Sequence, residues 1–201
     1  MKRTILFGPI IFALVLITLT IVQYDFLRGL GWHPINDPTF DWPSGLALGS
    51  YGIVMTATFI ISGFLIAILA LRLKADLKPA ATSQAGSALL VLSGLALASL
   101  AFTTDPTIRS TPATWHGRLH DLSFVLLGLT LFPSMIVLGF AFRQNGSWKR
   151  LSLYTWLTVS FAIPAFIFKG AAFYVFLFAI LFWIETLAWK LNFSPVWHDL
   201  H

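Results

Sequence analysis

The sequence predicts an all-α integral membrane protein, a single domain over residues 1–201 folded as a bundle of six transmembrane helices, and three observations lead there. The chain is 57% hydrophobic and only 10% charged, with a mean hydropathy of +0.82, whereas soluble domains run at roughly 45–50% apolar and about 25% charged residues. A hydrocarbon core about 30 Å thick needs about 20 apolar helical residues at 1.5 Å rise each, and six runs of about that length occur. They cover about residues 4–23, 46–71, 82–103, 119–142, 151–168 and 171–189. The charged residues fall almost entirely between these runs or at their ends. Helices are the open-ended way to cross lipid, because every backbone N–H and C=O then finds its partner inside the segment.

Taken in order, the first run follows Met1, Lys2 and Arg3 and so has the outline of a secretory signal peptide. It is longer than a typical signal core, and no A-x-A site precedes Gln23, Tyr24 and Asp25, so it reads as a retained anchor. The second run is long enough to tilt. Pro9, Pro133 and Pro164 lie within runs one, four and five, where proline kinks a helix. Gly45 with Gly49, and Gly94 with Ala98, have the small-xxx-small spacing of close helix contacts. The sixth run carries Phe173, Phe176, Phe178 and Phe182 as lipid-facing or packing surface. The longest connection, Tyr24 to Ser44, is rich in Trp, Pro, Asp and Phe, a composition suited to a packed cap lying on the membrane interface.

Counting Lys and Arg by side gives an orientation. One side holds nine (Lys2, Arg3, Arg72, Lys74, Lys78, Arg143, Lys149, Arg150, Lys190) and the other four (Arg28, Arg109, Arg118, Lys169). The positive-inside rule then places both termini in the cytoplasm of a multi-pass protein of the inner (plasma) membrane. The net charge of +5 is accounted for by this asymmetry, and no nucleic-acid partner is needed to explain it. Tyr24, Trp32, Trp42 and Trp115 outside, and Trp148, Trp183 and Trp189 inside, fit interfacial aromatic belts. Without cysteine, disulfides, thiolate nucleophiles and thiolate metal sites are excluded. No Walker A, Rossmann or EF-hand pattern occurs, and histidine is absent from facing spans, which disfavours a haem held between helices. The two halves share neither loop lengths nor motifs, which counts against an inverted-repeat transporter.

Polar chemistry gathers in Phe102 to Ser123, the outer connection between runs three and four, with Asp105, Arg109, His116, Arg118, His120 and Asp121. His116 and His120 are spaced to stack on one helical face. Two readings of that spacing stand side by side. Two imidazoles could hold a divalent metal such as zinc if Asp105, Asp121 or His33 supplied a third ligand and water took an open position. The Glu of an HExxH zincin is missing, since Gly117, Arg118 and Leu119 fill the intervening sites. The two rings could equally hydrogen-bond loop carbonyls or Asp105 and latch the outer cap. Asp105 with Arg109 or Arg118 reads as an interfacial ion pair, and Asp105-Pro106 as a helix stop. Asp121 is a candidate general base, and Ser123, a turn beyond His120, a candidate nucleophile that lacks an oxyanion motif. Glu185 is the carboxylate placed well inside a span, where ionisable groups are functional candidates.

Ser44-Gly-Leu-Ala-Leu-Gly49-Ser-Tyr51-Gly52, Phe102-Thr-Thr-Asp105-Pro106 and His116-Gly117-Arg-Leu-His120 together resemble the multi-pass prokaryotic membrane family catalogued as domain of unknown function 998. The resemblance implies six spans and makes Asp105, His116 and His120 signature positions; it supplies no activity. Thr103 stands where a proline is common in that family. A more distant similarity, to membrane hydrolases of the ceramidase and progestin-receptor-like kind, lies in combining Asp with HxxxH at a membrane surface. Two functions follow as expectations. One is a component that binds membrane lipid or a protein partner, a second copy included, with the Asp/His cluster as a latch. The other is a metal-dependent hydrolase of a lipid-like substrate, with His116, His120 and Asp105 as ligands.

Overall fold

A computed structural model describes residues 7–33, 42–106, 114–168 and 170–193. Arg109, Lys169, Lys2 and Arg3, all used above, lie outside them. The described residues form helices α1 (Gly8–Val22), α2 (Tyr24–Gly29), α3 (Gly52–Asp76), α4 (Ala81–Ser99), α5 (Trp115–Gln144), α6 (Lys149–Ser160), α7 (Ala162–Phe168) and α8 (Gly170–Phe193), with 3-10 turns over Ser44–Leu48 and Gly146–Trp148. Four of them, α3, α4, α5 and α8, are long and apolar enough to cross a membrane.

The other two expected spans take different forms. The described part of the first is a 15-residue helix, α1, about 22 Å long. Pro9 sits in its opening turn, where the missing N–H is not needed, so it starts α1 instead of kinking it. The fifth span is interrupted between α6 and α7 at Phe161, whose amide turns to Leu157 O at 3.3 Å and Thr158 O at 3.2 Å. Pro164 explains the interruption: it cannot donate to the Ser160 carbonyl, and its ring crowds that carbonyl. Pro133, by contrast, is carried inside an unbroken α5 of 30 residues.

Each helix packs on the next, α3 on α4, α4 on α5, α5 on α6 and α7 on α8, and α8 then returns to α1 and α3. Glycine sets the tightest seams. A Cβ on Gly63 would run into the Gly94 carbonyl and Ala98, and one on Gly94 into Gly63, so the Gly94/Ala98 spacing is a true α3–α4 seam. Gly86 leaves its carbonyl open to the Ser134 hydroxyl at 2.8 Å, and Gly139 to that of Ser152 at 2.7 Å. Interhelical bonds of this kind contribute on the order of 0.6–2 kcal/mol each in lipid. Gly45 and Gly49 belong to no helix seam; the first is in the 3-10 turn, and the second leaves room for the Gln23 amide.

The outer surface is apolar, as a lipid-facing surface must be: Ile53, Ile21, Leu129 and Phe182 are all more than half exposed. Of the phenylalanines of α8, Phe173 and Phe176 are buried in packing while Phe182 faces outward. Trp115, Trp189 and Tyr24 are exposed as belt residues should be, but Trp148 and Trp183 are fully buried, and Trp32 and Trp42 nearly so. These four are core. Their indole N–H groups explain two of the departures, since Trp148 donates to Asp76 Oδ2 at 2.9 Å and Trp183 to Thr155 Oγ1 at 2.9 Å, satisfying the ring's polar edge inside the bundle.

Candidate functional site

α4 ends at Ser99 and the chain unwinds through Leu100 to Pro106, leaving carbonyls without a helical successor. The first turns of α5 receive them. His120 Nδ1 lies 2.6 Å from Phe102 O and 3.1 Å from Leu100 O, and His116 Nδ1 3.0 Å from Thr103 O. Carbonyls only accept, so Nδ1 of each ring is the donor, and in the neutral ring Nε2 is left as an acceptor. The i, i+4 spacing thus serves two successive loop carbonyl groups.

Thr114 caps α5. Its hydroxyl accepts from Gly117 N at 3.1 Å and donates to Asp105 Oδ1 at 2.6 Å, while its amide donates to Asp105 Oδ2 at 3.0 Å. The same hydroxyl lies 3.0 Å from His116 Nδ1. The Thr114 hydroxyl bond holds the Asp105 carboxyl below its ordinary range; desolvation works against this, and the Thr114 amide, His116 and Arg118 add to the lowering. A Cβ on Gly117 would run into the Asp105 carboxylate. The glycine between the two histidines is therefore what lets Asp105 lie over the start of α5.

His120 reaches further. Its Nε2 is 2.9 Å from Ser44 Oγ, on the 3-10 turn 76 residues earlier, so the ring ties the α4–α5 loop to the segment that opens α3. That segment is held from the other side by Gln23, whose Nε2 donates to Leu46 O at 3.2 Å and whose Oε1 accepts from Tyr51 N at 3.4 Å, and by Trp42, whose Nε1 donates to Thr20 Oγ1 at 2.8 Å. Trp32 stacks on Trp42 at 6.3 Å, and Tyr174 of α8 meets Trp42 edge-on at 4.7 Å. The aromatic cap expected of the long first connection is present at its two described ends.

Beneath this cap lies a cavity of about 550 Å³, within the roughly 300–1,000 Å³ of small-molecule sites. Trp42, Pro43, Ser44 and Leu100 line its capped end. Its walls come from α1, α3, α4, α5 and α8 and are almost wholly apolar, with Ser44 and Ser93 the hydroxyl-bearing residues. The backbones of α5 and α8 scarcely approach each other, and Phe132 and Phe176 bridge the gap at 5.8 Å. Val125 and Leu129 line the cavity while more than half exposed, so it is continuous with the lipid-facing side of α5.

Asp105, His116 and His120 are thus brought together through loop backbone and Thr114. Among the described residues, no three His, Asp or Glu side chains gather as a metal site would require. Ser123 bonds its own helix at Leu119 O, 2.6 Å away, and does not reach the imidazoles. Asp121 and Arg118 are exposed on α5, His33 is half-buried after Trp32, and none of them hydrogen-bonds the cluster among the described residues. Glu185 sits 15 residues into α8, about 22 Å along the helix from the cap, with Oε2 buried and unpaired. Sequence reasoning missed Ser44 and Thr114. The first opens a motif of the family resemblance but has no chemical partner in its own segment, and the second was legible as an N-cap threonine before the apolar run of α5.

The family model described as Protein of unknown function (DUF998) matches residues 8–190, and the chain belongs to that family. Neither a curated protein nor a solved structure matches it.

Proposed function

We propose that this member of the DUF998 family is a lipid-binding protein of the inner membrane, crossing it six times with both termini in the cytoplasm. In this reading an acyl chain from the outer leaflet enters between α5 and α8 and occupies the cavity under the His120 cap. The cavity itself carries the reading. An apolar void stays free of water, and one continuous with a lipid-facing surface is filled by what adjoins it, which is hydrocarbon. Its length agrees. The α5 wall runs from Phe124 to Pro133 and the α8 wall from Phe173 to Ile184, about 14 and 16 Å of helix, close to half of an about 30 Å core. That is the depth of one leaflet.

Charge supports the orientation. Arg72, Lys74, Lys78, Arg143, Lys149, Arg150 and Lys190 lie at the end of the bundle opposite the cap, and only Arg28 and Arg118 among the described Lys and Arg lie at the capped end. For the crossing count, α1 is preceded by further apolar residues in sequence, and α6 and α7 follow each other directly with 12 and 7 helical residues.

Gly128 gives the test. It lines the cavity, and a Cβ there meets only the Phe132 ring edge at an ordinary 3.8 Å, so Gly128→Leu fills the space without forcing the backbone. Native mass spectrometry of protein purified from membranes should detect one co-purified lipid per chain in the wild type and its loss in Gly128→Leu, with thermal stability kept. Equal lipid occupancy in both would remove the cavity as the binding site.

A further inference from the structure

We infer that Ser44 and His120 form a nucleophile–base pair that transfers the acyl group of a lipid oxoester; the inference rests on the cavity being an acyl-chain site. The proton inventory carries it. Two carbonyls claim His120 Nδ1, at 2.6 and 3.1 Å, so in the neutral ring Nε2 is a bare acceptor aimed at Ser44 Oγ, 2.9 Å away. The Ser44 hydroxyl must then donate to Nε2. This is the geometry in which an imidazole takes a serine proton, with reach of about 2.6–3.2 Å and a third group orienting the ring. Here backbone carbonyls fill the orienting role that a carboxylate fills in the Ser-His-Asp arrangement.

Many other hydroxyls of the bundle are engaged by backbone carbonyls. Thr20, Thr58, Ser93, Ser99, Ser123, Thr130, Thr155 and Thr158 donate to the carbonyl four residues back in their own helix, and Ser134 and Ser152 to carbonyls of neighbouring helices. Ser44 sits on a 3-10 turn, and the hydrogen bond of its hydroxyl is the one to the imidazole. It is also the hydroxyl at the capped end of the cavity, where the carboxyl end of an acyl chain lying in the cavity would arrive.

The steps balance. Ser44 Oγ bonds to the ester carbonyl carbon as its proton passes to His120 Nε2. The ester C–O bond then breaks, and the leaving alcohol takes that proton. Water or an acceptor alcohol next attacks the carbonyl carbon of acyl-Ser44 and gives its proton to His120 Nε2; the acyl C–Oγ bond then breaks, Ser44 Oγ takes that proton back from His120 Nε2, and the free acid or the new ester leaves. No oxidant, reductant or metal ion is consumed.

Hexadecyl fluorophosphonate is the probe: Ser44 Oγ attacks phosphorus, fluoride leaves, and the adduct is located by peptide mass mapping. Wild-type protein should carry the adduct on Ser44. Ser44→Ala should carry none at this position while remaining folded, and His120→Gln should label at least about a hundredfold more slowly, the usual contribution of a general base. Gly128→Leu should slow labelling by the hexadecyl probe by a larger factor than labelling by ethyl fluorophosphonate. An unlabelled wild type that still retains lipid overturns the dyad and leaves the cavity reading standing. Ser44 labelled without chain-length preference, in protein that retains no lipid, overturns the cavity reading and leaves the dyad. Equal labelling of folded wild type and folded His120→Gln overturns the role of His120.

Discussion

The two ends of the bundle solve the same problem with different groups. At one end Trp148 is the plug: it stacks on Phe142 at 5.2 Å, donates to Asp76 and lies under Lys190 Nζ at 5.1 Å. Asn145 beside it accepts from Lys78 N at 3.0 Å and donates to Ala141 O at 2.8 Å. At the other end His116, His120, Ser44 and Asp105 make the ties, and below them a cavity is left open. Both ends join loops to helix starts, but one uses a buried indole and an amide, and the other uses an imidazole–hydroxyl pair over a void. A bundle that needed only to stay closed could have been plugged twice.

That contrast can be broken from either side. The largest effect belongs to the filled end: Trp148→Ala should lower stability in detergent by about 3–5 kcal/mol, the cost of emptying a large buried aromatic site, read as a fall in thermal transition. His120→Ala should cost less, on the order of 1–3 kcal/mol, because it leaves loop carbonyls and the Ser44 hydroxyl unpaired without emptying a large volume. Thr114→Val removes the α5 cap and should cost about 0.5–2 kcal/mol; an unchanged transition would mean that the loop is held without it.

The acid limb sharpens the comparison further. Asp105 is held below its ordinary value of 3.8, so its contribution is present above that value and is lost as pH falls through the lowered one. Asp105→Asn should therefore flatten the loss of thermal stability as pH falls below the ordinary carboxylate value, while wild type shows it. An identical acid limb in both proteins would place the effect elsewhere. Gly128→Leu should show the smallest stability change of all, within about 1 kcal/mol in either direction, despite removing the bound lipid.

Much of the helical plan was legible because lipid leaves few alternatives. Runs of apolar residues with charges at their ends correspond to α4, α5 and α8 within about four residues, and to α3 with a shift of five or six because its expected start is a 3-10 turn. The Asp105 and His116/His120 cluster stood out because charge is scarce in this chain. What the sequence could not resolve was of two kinds. Contacts between distant segments leave no local trace: Ser44 meets His120 across 76 residues, and nothing in its neighbourhood says so. Apolar residues also read alike whether they face lipid, a neighbouring helix or a cavity, so Val125, Leu129 and Leu131 could not be told apart by periodicity. Trp148 and Trp183 were misplaced at the interface for the same reason, since a tryptophan near a span end fits a belt and a plug equally well. Pro164 was legible as a perturbation, but whether it would kink or interrupt the helix depended on the Ser160 carbonyl it crowds.

The most direct measurement is photocrosslinking in membranes with a phosphatidylcholine whose acyl chain carries a diazirine near its end. The account predicts adducts that map to cavity-lining residues such as Leu131, Phe176 and Ile180, and that disappear in Gly128→Leu. Adducts confined to outward-facing positions such as Ile53 and Phe182, unchanged by Gly128→Leu, would contradict it.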